Sequence, residues 1–416
     1  MSLASEPIIT AKPAGFLTRS FQPFRYRDFR LMWGGAFTST CGTWMQNVAQ
    51  SWLVLELTGS AFYLGLVGFL SDLPIMLFSL VGGVVADRVD RRKLLLGSQY
   101  TQMASAFILT GLVIADKVQI WHILVLVFLS GTGQSFGGPA YQALIPGMVP
   151  REDVPKAIAL NSIQFNLART VGPLLAAAAM AAGGLVLCFG LNGISFLAVI
   201  ISLYIIRATF LPAKTTESVY EGLKQGFAYV KSRGALWQLT VLGFVSTFCG
   251  IPLLTLLPVF AKDIFGLGAT GFSYLVATSG AGSITGALLY AGLSHNRHRP
   301  VLVLWTQIVF ALLLSGFAVS RNLPLSHLIL FLAGMGLMTM FASITSLVQL
   351  GTSEELRGRT MSIFMLAFRS GMPLGNLLFG YLAEQFSPTA ALIVASILLA
   401  IVATGFLASN SNMKRL

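Results

Sequence analysis

Apolar segments of about 20 residues follow one another along most of this chain, and this pattern restricts the fold more than any other feature. The hydrocarbon core of a bilayer is about 30 Å thick and a helix rises about 1.5 Å per residue, so each segment is long enough to cross it. Only 10% of the residues are charged, against roughly 25% in soluble domains. The chain therefore has room for about a dozen membrane-spanning helices.

The apolar pattern predicts an all-α membrane protein with twelve transmembrane helices in two pseudo-symmetric six-helix bundles. The first bundle, residues 29–207, is predicted to hold helices near 29–57, 61–85, 94–115, 120–148, 155–181 and 184–207. The second, residues 235–408, is predicted to hold helices near 235–262, 270–293, 300–320, 325–349, 357–384 and 388–408. Between them, 208–234 is predicted to be a cytoplasmic linker with an amphipathic helix on the membrane surface. The predicted cytoplasmic ends are residues 1–28 and the tail 409–416.

The distribution of basic residues predicts the orientation in the membrane. Most of the 27 Lys and Arg residues fall in the N-terminal segment, the linker and every second loop. Cytoplasmic loops of membrane proteins accumulate Lys and Arg, so these segments and both termini are predicted to be cytoplasmic. The net charge of +12 is explained by this topology, because nucleic-acid binding would need a soluble basic domain.

The two halves carry a weak internal repeat at an offset of 200 residues. The matching stretches are Ser162-Ile163 with Ser362-Ile363, and Arg169 through Pro173-Leu174 with Arg369 through Pro373-Leu374. Chance is a poor explanation for an intramembrane Arg and a Pro that match at one offset. Two related halves are typical of transporters that rock about a site at the interface between the halves.

Three charged residues lie well inside the predicted spans: Asp72, Arg169 and Arg369. Such a residue costs about 2.5–3.5 kcal/mol unless it faces protein or water, so each is a functional candidate. Arginine stays protonated and can bind an anion or hold a carboxylate ionised, whereas Asp72 is the candidate for proton coupling. The alternative is structural: the guanidinium groups would bind helix carbonyls, and Asp72 would bond groups freed by the kink at Pro74.

Polar and aromatic side chains inside the spans indicate a central cavity. Amides in a membrane helix either bridge neighbouring helices or line a wet cavity, and bridging is the more frequent role. A cavity lined by amides and aromatic rings suits a bulky amphiphilic solute. The cavity candidates are Trp44, Gln46, Asn47, Gln50, Gln134, Asn161, Phe165 and Tyr274.

Motifs for ATP hydrolysis and for enzyme catalysis are missing from the sequence. There is no Walker lysine loop, no serine nucleophile elbow and no convincing metal-ligand spacing of His or Cys. We therefore expect no enzyme, no cofactor and no metal site, with a proton gradient as the energy source.

The segment Gly83–Lys93 packs four cations and two carboxylates into eleven residues between two apolar spans, so it must be a polar cytoplasmic hairpin. Its pattern resembles the signature loop of the major facilitator superfamily of transporters, and the matching residues are Gly83, Asp87, Arg88, Arg91 and Arg92. Other stretches resemble one branch, the bacterial exporters similar to the enterobactin exporter and the macrolide efflux pumps, which are drug:proton antiporters. These stretches are 139–146, 161–173, 257–262 and 354–359.

The resemblance implies a gate. In this superfamily the loop's Asp, here Asp87, is understood to meet the N-terminus of the eleventh helix, here near 357–361, where the helix dipole favours a carboxylate. Arg88 and Arg91 would hold Asp87 in this breakable latch between the halves. Drug pumps of the superfamily carry an Arg in the fourth span, and this chain has none before Gln134. That departure leaves Asp72 as the replacement candidate for the proton.

The expected function is proton-coupled export of a bulky amphiphilic solute, such as a siderophore or a hydrophobic drug, by alternating access. A lipid or lysolipid translocator, a metal exporter of the same fold and a non-transporting membrane sensor remain as alternatives. The expected partners are the substrate, protons and the lipid bilayer, with no nucleic acid. We expect a monomer in the bacterial inner membrane.

Overall fold

The computed structural model describes residues 21–207, 219–292 and 300–408, with side chains except at 79–81, 83–84, 86–88, 219–223 and 300–301. In the first half the helices are α1 (Arg27–Thr58), α2 (Ala61–Arg88), α3 (Arg91–Ile114), α4 (Ile120–Leu144) and α5 (Val154–Ile205). Short 3-10 turns occupy Gln22–Arg25, Ile145–Met148 and Arg151–Asp153.

The second half begins with a short amphipathic helix and continues with long apolar ones. Its helices are α6 (Val219–Ser232), α7 (Gly234–Gly250), α8 (Pro252–Val259), α9 (Ala269–Gly292), α10 (Pro300–Val319), α11 (Leu323–Leu350), α12 (Arg357–Gln385) and α13 (Pro388–Ala408). A π-helical turn, Phe260–Ile264, extends α8, and the 3-10 turn Glu354–Leu356 precedes α12.

The predicted all-α membrane fold is confirmed in the part of the chain that the structure describes, which contains helices and no strand. Within these ranges nine helical stretches are long and apolar enough to cross a membrane. One of them, Arg151–Ile205, holds two of the predicted spans, and α1 and α3 are not among the nine. Amides, hydroxyls and glycines dilute the apolar residues of these two helices. The count of twelve spans therefore stays a prediction.

Helix α5 is divided by two glycines. Gly183 and Gly184 leave the helical conformation. Gly184 has φ 64° and ψ −158°, a backbone geometry that residues with a Cβ rarely adopt. The chain folds back here, since the Cys188 sulfur lies 3.9 Å from the Ala176 carbonyl oxygen across the bend. The break coincides with the one predicted between 181 and 184.

The predicted single helix at 235–262 is wrong in one respect, because the structure divides it at Ile251 into α7 and α8. Pro252 lies at the start of α8. Proline has no amide hydrogen and its ring crowds the preceding turn, so it is tolerated at a helix start and interrupts a helix interior. Apolar periodicity alone does not register this interruption.

Two pairs of helices join the halves: α2 packs along α12, and α5 packs along α9. Glycines let the backbones approach closely in both pairs. A Cβ placed on Gly65 of α2 would lie 2.9 Å from the Cα of Gly380 in α12. A Cβ on Gly280 of α9 would lie 2.9 Å from the hydroxyl oxygen of Thr170 in α5. The two halves are therefore in backbone contact through small residues.

The two ends of the bundle differ in charge. We call the end where α1 begins the basic face, because Arg91, Arg151 and Arg357 lie there, and the other end the opposite face. At the basic face the buried Asp153 carboxylate accepts hydrogen bonds from Lys156 Nζ at 2.7 Å and from the Tyr26 hydroxyl at 2.9 Å. The hydrogen bond to Asp153 is the main cause that raises the pKa of Tyr26. These bonds fasten the segment before α1 to the start of α5.

Candidate functional site

The sequence-predicted intramembrane candidates lie mainly on helices that meet between the two halves. Asp72 is on α2, Arg369 on α12, Arg169 on α5 and Tyr274 on α9, and these four helices form the two pairs that join the halves. Transporters built from two related halves bind their cargo at such an interface. The structure thus brings these candidates to the region where a rocking transporter would use them.

Asp72 and Arg369 are related across the interface. The Arg369 guanidinium is near enough to act electrostatically on the Asp72 carboxyl, although the two residues belong to different halves. Asp72 is half-buried, Arg369 is exposed, and the salt bridges among the described residues do not include this pair. The two charges therefore lie within electrostatic range of each other without forming a salt bridge. A change in either charge would alter the attraction between α2 and α12.

Arg169 belongs to a cluster of a cation and two aromatic rings. Its guanidinium carbon lies 5.7 Å from the centre of the Trp44 ring, a cation–π distance. Trp44 in turn meets the edge of Phe165, with ring centroids 6.3 Å apart. Phe165 leaves 51% of its surface exposed. The cluster joins α1 to α5 and presents an aromatic surface beside a fixed positive charge.

Two of the predicted cavity amides make hydrogen bonds between helices. Gln46 Oε1 of α1 accepts a hydrogen bond of 2.6 Å from Asn192 Nδ2, in the second part of α5. Asn161 Oδ1 accepts a hydrogen bond of 2.6 Å from the Tyr141 hydroxyl of α4. Both contacts correspond to the bridging role that amides more often have in membrane helices.

The remaining cavity candidates have different environments. Gln50 is buried, whereas Asn47 and Tyr274 are exposed. Gln134 is exposed, and its Oε1 accepts a long hydrogen bond of 3.4 Å from Gln102 Nε2 of α3. These remaining candidates therefore differ in their exposure and in their polar contacts.

The predicted gate loop is described only in part. The side chains of Asp87 and Arg88 and the surroundings of Gly83 lie outside the described residues. Arg91 Nη1 donates a hydrogen bond of 3.1 Å to the carbonyl oxygen of Ala143 at the end of α4. The backbone amide of Arg92 donates to the carboxylate of Asp90, which caps the N-terminus of α3. The described part of the loop is therefore held within its own half.

Sequence reasoning missed several polar contacts. Asn376 of α12 accepts a hydrogen bond of 2.7 Å from the Thr255 hydroxyl and packs against Gly68 of α2. Glu384, at the end of α12, accepts hydrogen bonds from Ser60 and from the backbone of Phe62 in the other half. An Asn inside an apolar helix is a signal that could have drawn attention to Asn376. A carboxylate at the end of a span gives no such signal, because many are simply solvated.

Sequence comparisons place the chain among bacterial exporters. It is 25% identical over 373 residues to macrolide efflux protein A of Streptococcus pyogenes, covering 87% of this chain and 91% of the relative. It is 24% identical over 376 residues to the enterobactin exporter of Salmonella typhi, covering 90% of each protein. The predicted resemblance to this branch is confirmed.

Structural comparison gives the same fold. The crystal structure of a bacterial homologue of the human lysosomal transporter Spinster, inward-facing and unoccupied, matches with a TM-score of 0.77 at 14% identity, covering 94% of this chain and 98% of that one. The model of the family described as transmembrane secretion effector matches residues 18–415. The chain is therefore a member of the transmembrane secretion effector family of the major facilitator superfamily of membrane transporters.

Proposed function

We propose that this protein exports a bulky amphiphilic organic solute in exchange for protons, with Asp72 as the proton-binding group. The observation that carries the proposal is that Asp72 and Arg369 lie within electrostatic range of each other on α2 and α12, the helix pair that joins the halves. A protonatable group at this place can convert a change of charge into a change in how the halves fit together.

The physical step is a change in attraction across the interface. An ionised Asp72 is attracted by Arg369, and a proton on Asp72 removes the attraction. Because Arg369 is exposed, water screens this attraction, which is worth on the order of 1 kcal/mol. A free energy of about 1 kcal/mol shifts an equilibrium between two conformations roughly fivefold. Proton binding would therefore favour the state in which α2 and α12 separate near Asp72.

The Arg169 cluster and the relatives support the proposed substrate class. Trp44 and Phe165 offer aromatic surface, and Arg169 offers a fixed charge beside it. This combination suits a large solute with an apolar body and polar groups. The relatives are named for macrolide efflux and for export of the siderophore enterobactin, and both solutes are large. We place the basic face in the cytoplasm, so export runs from that face to the opposite face.

The experiment is a flux assay in proteoliposomes with an imposed pH gradient. A macrolide and a catecholate siderophore serve as probes, and each is followed with and without the gradient. The proposal expects flux of at least one probe that rises with the gradient and collapses in Asp72→Asn. The matched control is Asp263→Asn, an exposed carboxylate outside the interface that joins α2 and α12. Equal gradient-driven flux in wild type and Asp72→Asn would overturn the assignment of the proton to Asp72.

A further inference from the structure

We propose that Glu384 is a gating residue: its carboxylate on the N-terminus of α2 latches the two halves together at the opposite face and must release for the cargo to leave. The contact joins residues 324 positions apart in the chain, one from each half. It is separate from Asp72 and from the Arg169 cluster. The inference concerns how the protein opens, and it holds whatever ion or solute is carried.

The geometry of the contact is that of a helix cap supplied by another helix. Glu384 Oε2 accepts a hydrogen bond of 2.9 Å from the Ser60 hydroxyl and one of 3.3 Å from the backbone amide of Phe62. Ser60 occupies the N-cap position of α2, and its side chain makes no capping bond to that helix. The serine hydroxyl, which commonly caps its own helix, instead donates across the interface. The Glu384 carboxylate from α12 accepts the hydrogen bond of the Phe62 amide, which has no partner within its own helix.

The charge of Glu384 suits this place. The first amides of a helix have no partner within the helix, and the helix dipole makes its N-terminus favourable for an anion. Hydrogen bonds to an ionised acceptor are also stronger than bonds between neutral groups. A glutamine at 384 would keep the size and one oxygen acceptor but would lose both electrostatic contributions.

Neighbouring contacts show that the halves are closed at this end. Gly65, one turn below the latch on α2, lies directly against Gly380 of α12. Trp52 of α1 stacks on Phe272 of α9, with ring centroids 6.0 Å apart and planes 25° apart. These contacts and the latch all join one half to the other at the opposite face. Export to the opposite face requires that they separate.

The Glu384 latch and the gate expected from the sequence lie at opposite ends of the same helix pair. Helices α2 and α12 run antiparallel, since α2 ends and α12 begins at the basic face. Glu384 lies at the end of α12 and binds the start of α2. Asp87 lies at the end of α2 and is expected to meet the start of α12. One helix pair would thus carry a carboxylate latch at each end, with Glu384 engaged when the opposite face is closed.

The test measures the opening of the opposite face directly. Spin labels are attached to cysteines introduced at Leu57 and Phe386, exposed positions on either side of the latch, and distances are measured by double electron–electron resonance. The three native cysteines are buried and leave the background low. In Glu384→Gln we expect the population with the longer distance to rise about three- to tenfold. Asp263→Asn, an exposed carboxylate outside the latch, should leave the distribution as in wild type.

A second pair of variants guards against simple misfolding. Ser60→Ala removes the donated hydroxyl and should shift the distances in the same direction as Glu384→Gln, whereas Ser60→Thr keeps a hydroxyl and should restore the wild-type distribution. Wild-type distances in both Glu384→Gln and Ser60→Ala would overturn the latch. A loss of proton-driven flux in Asp72→Asn does not bear on this result, so the latch and the proposed coupling fail independently.

Discussion

The contact between Gly65 and Gly380 allows a quantitative prediction about how tightly the opposite face is closed. In Gly65→Ala the new Cβ would lie 2.9 Å from Gly380 Cα and closer still to the carbonyl oxygen of Asn376. Ordinary contact needs about 3.5–4.0 Å, so α2 and α12 must move apart by roughly 0.5–1 Å. The neighbouring atoms are backbone atoms, which cannot rotate away as a side chain would.

The size of the effect follows from the overpacking. Overpacking of this kind costs about 1–3 kcal/mol, and it is present only when α2 and α12 are in contact. The helix propensity gained from Ala over Gly is the same in the closed and open states, so it does not change the ratio between them. The closed state should therefore lose about 1–3 kcal/mol, which corresponds to a roughly five- to 150-fold change in the ratio of closed to open molecules.

The assay uses the same labels at Leu57 and Phe386, so that a longer distance reports opening at the opposite face. Gly111→Ala is the control, because a Cβ at that position in α3 meets no atom within 4 Å and should only stabilise its helix. Gly380→Ala attacks the same contact from the other side and should give a similar shift. Unchanged distances in both Gly65→Ala and Gly380→Ala would refute the claim that this contact closes the opposite face.

Two further predictions concern hydrogen bonds within the first half. A double-mutant cycle on Gln46 and Asn192, measured by thermal unfolding in detergent, should give a coupling energy of about 0.6–1.7 kcal/mol between the two amides. Single effects that simply add would contradict the hydrogen bond. The raised pKa of Tyr26 favours the neutral phenol in the folded state, so its contribution is complete below the ordinary tyrosine pKa of about 10 and is lost as pH rises through the folded value. Tyr26→Phe should therefore destabilise at pH 7 and lose its effect in strong alkali, and an equal effect at both pH values would count against the bond to Asp153.

The positions of the helices could be predicted because burial in lipid imposes long apolar segments. The bend at Gly183 and Gly184 was also predictable, since two adjacent glycines fall between two such segments. The interruption at Ile251 was not, because Pro252 lies in an apolar stretch whose hydropathy does not fall. Hydropathy measures how apolar a segment is and carries no information about its backbone hydrogen bonds.

The side-chain partners were largely beyond sequence reasoning. Asp72 and Arg369 stand out in the sequence as intramembrane charges, but that they lie within electrostatic range of each other depends on the packing of α2 against α12. Gln46 was expected to line a cavity or bridge helices, and only the placement of Asn192 shows the bridge. Glu384 looks like any solvated residue at a helix end until the start of α2 is placed beside it.

The most direct test of proton-coupled export is the proton released when substrate binds. The purified protein in weakly buffered detergent near neutral pH receives whichever probe is transported in proteoliposomes, and a pH indicator records the protons set free. We predict proton release on substrate addition by wild type and by Asp263→Asn, and none by Asp72→Asn that still binds the probe. Substrate binding with no proton release by the wild-type protein, or equal release by Asp72→Asn, would contradict the account.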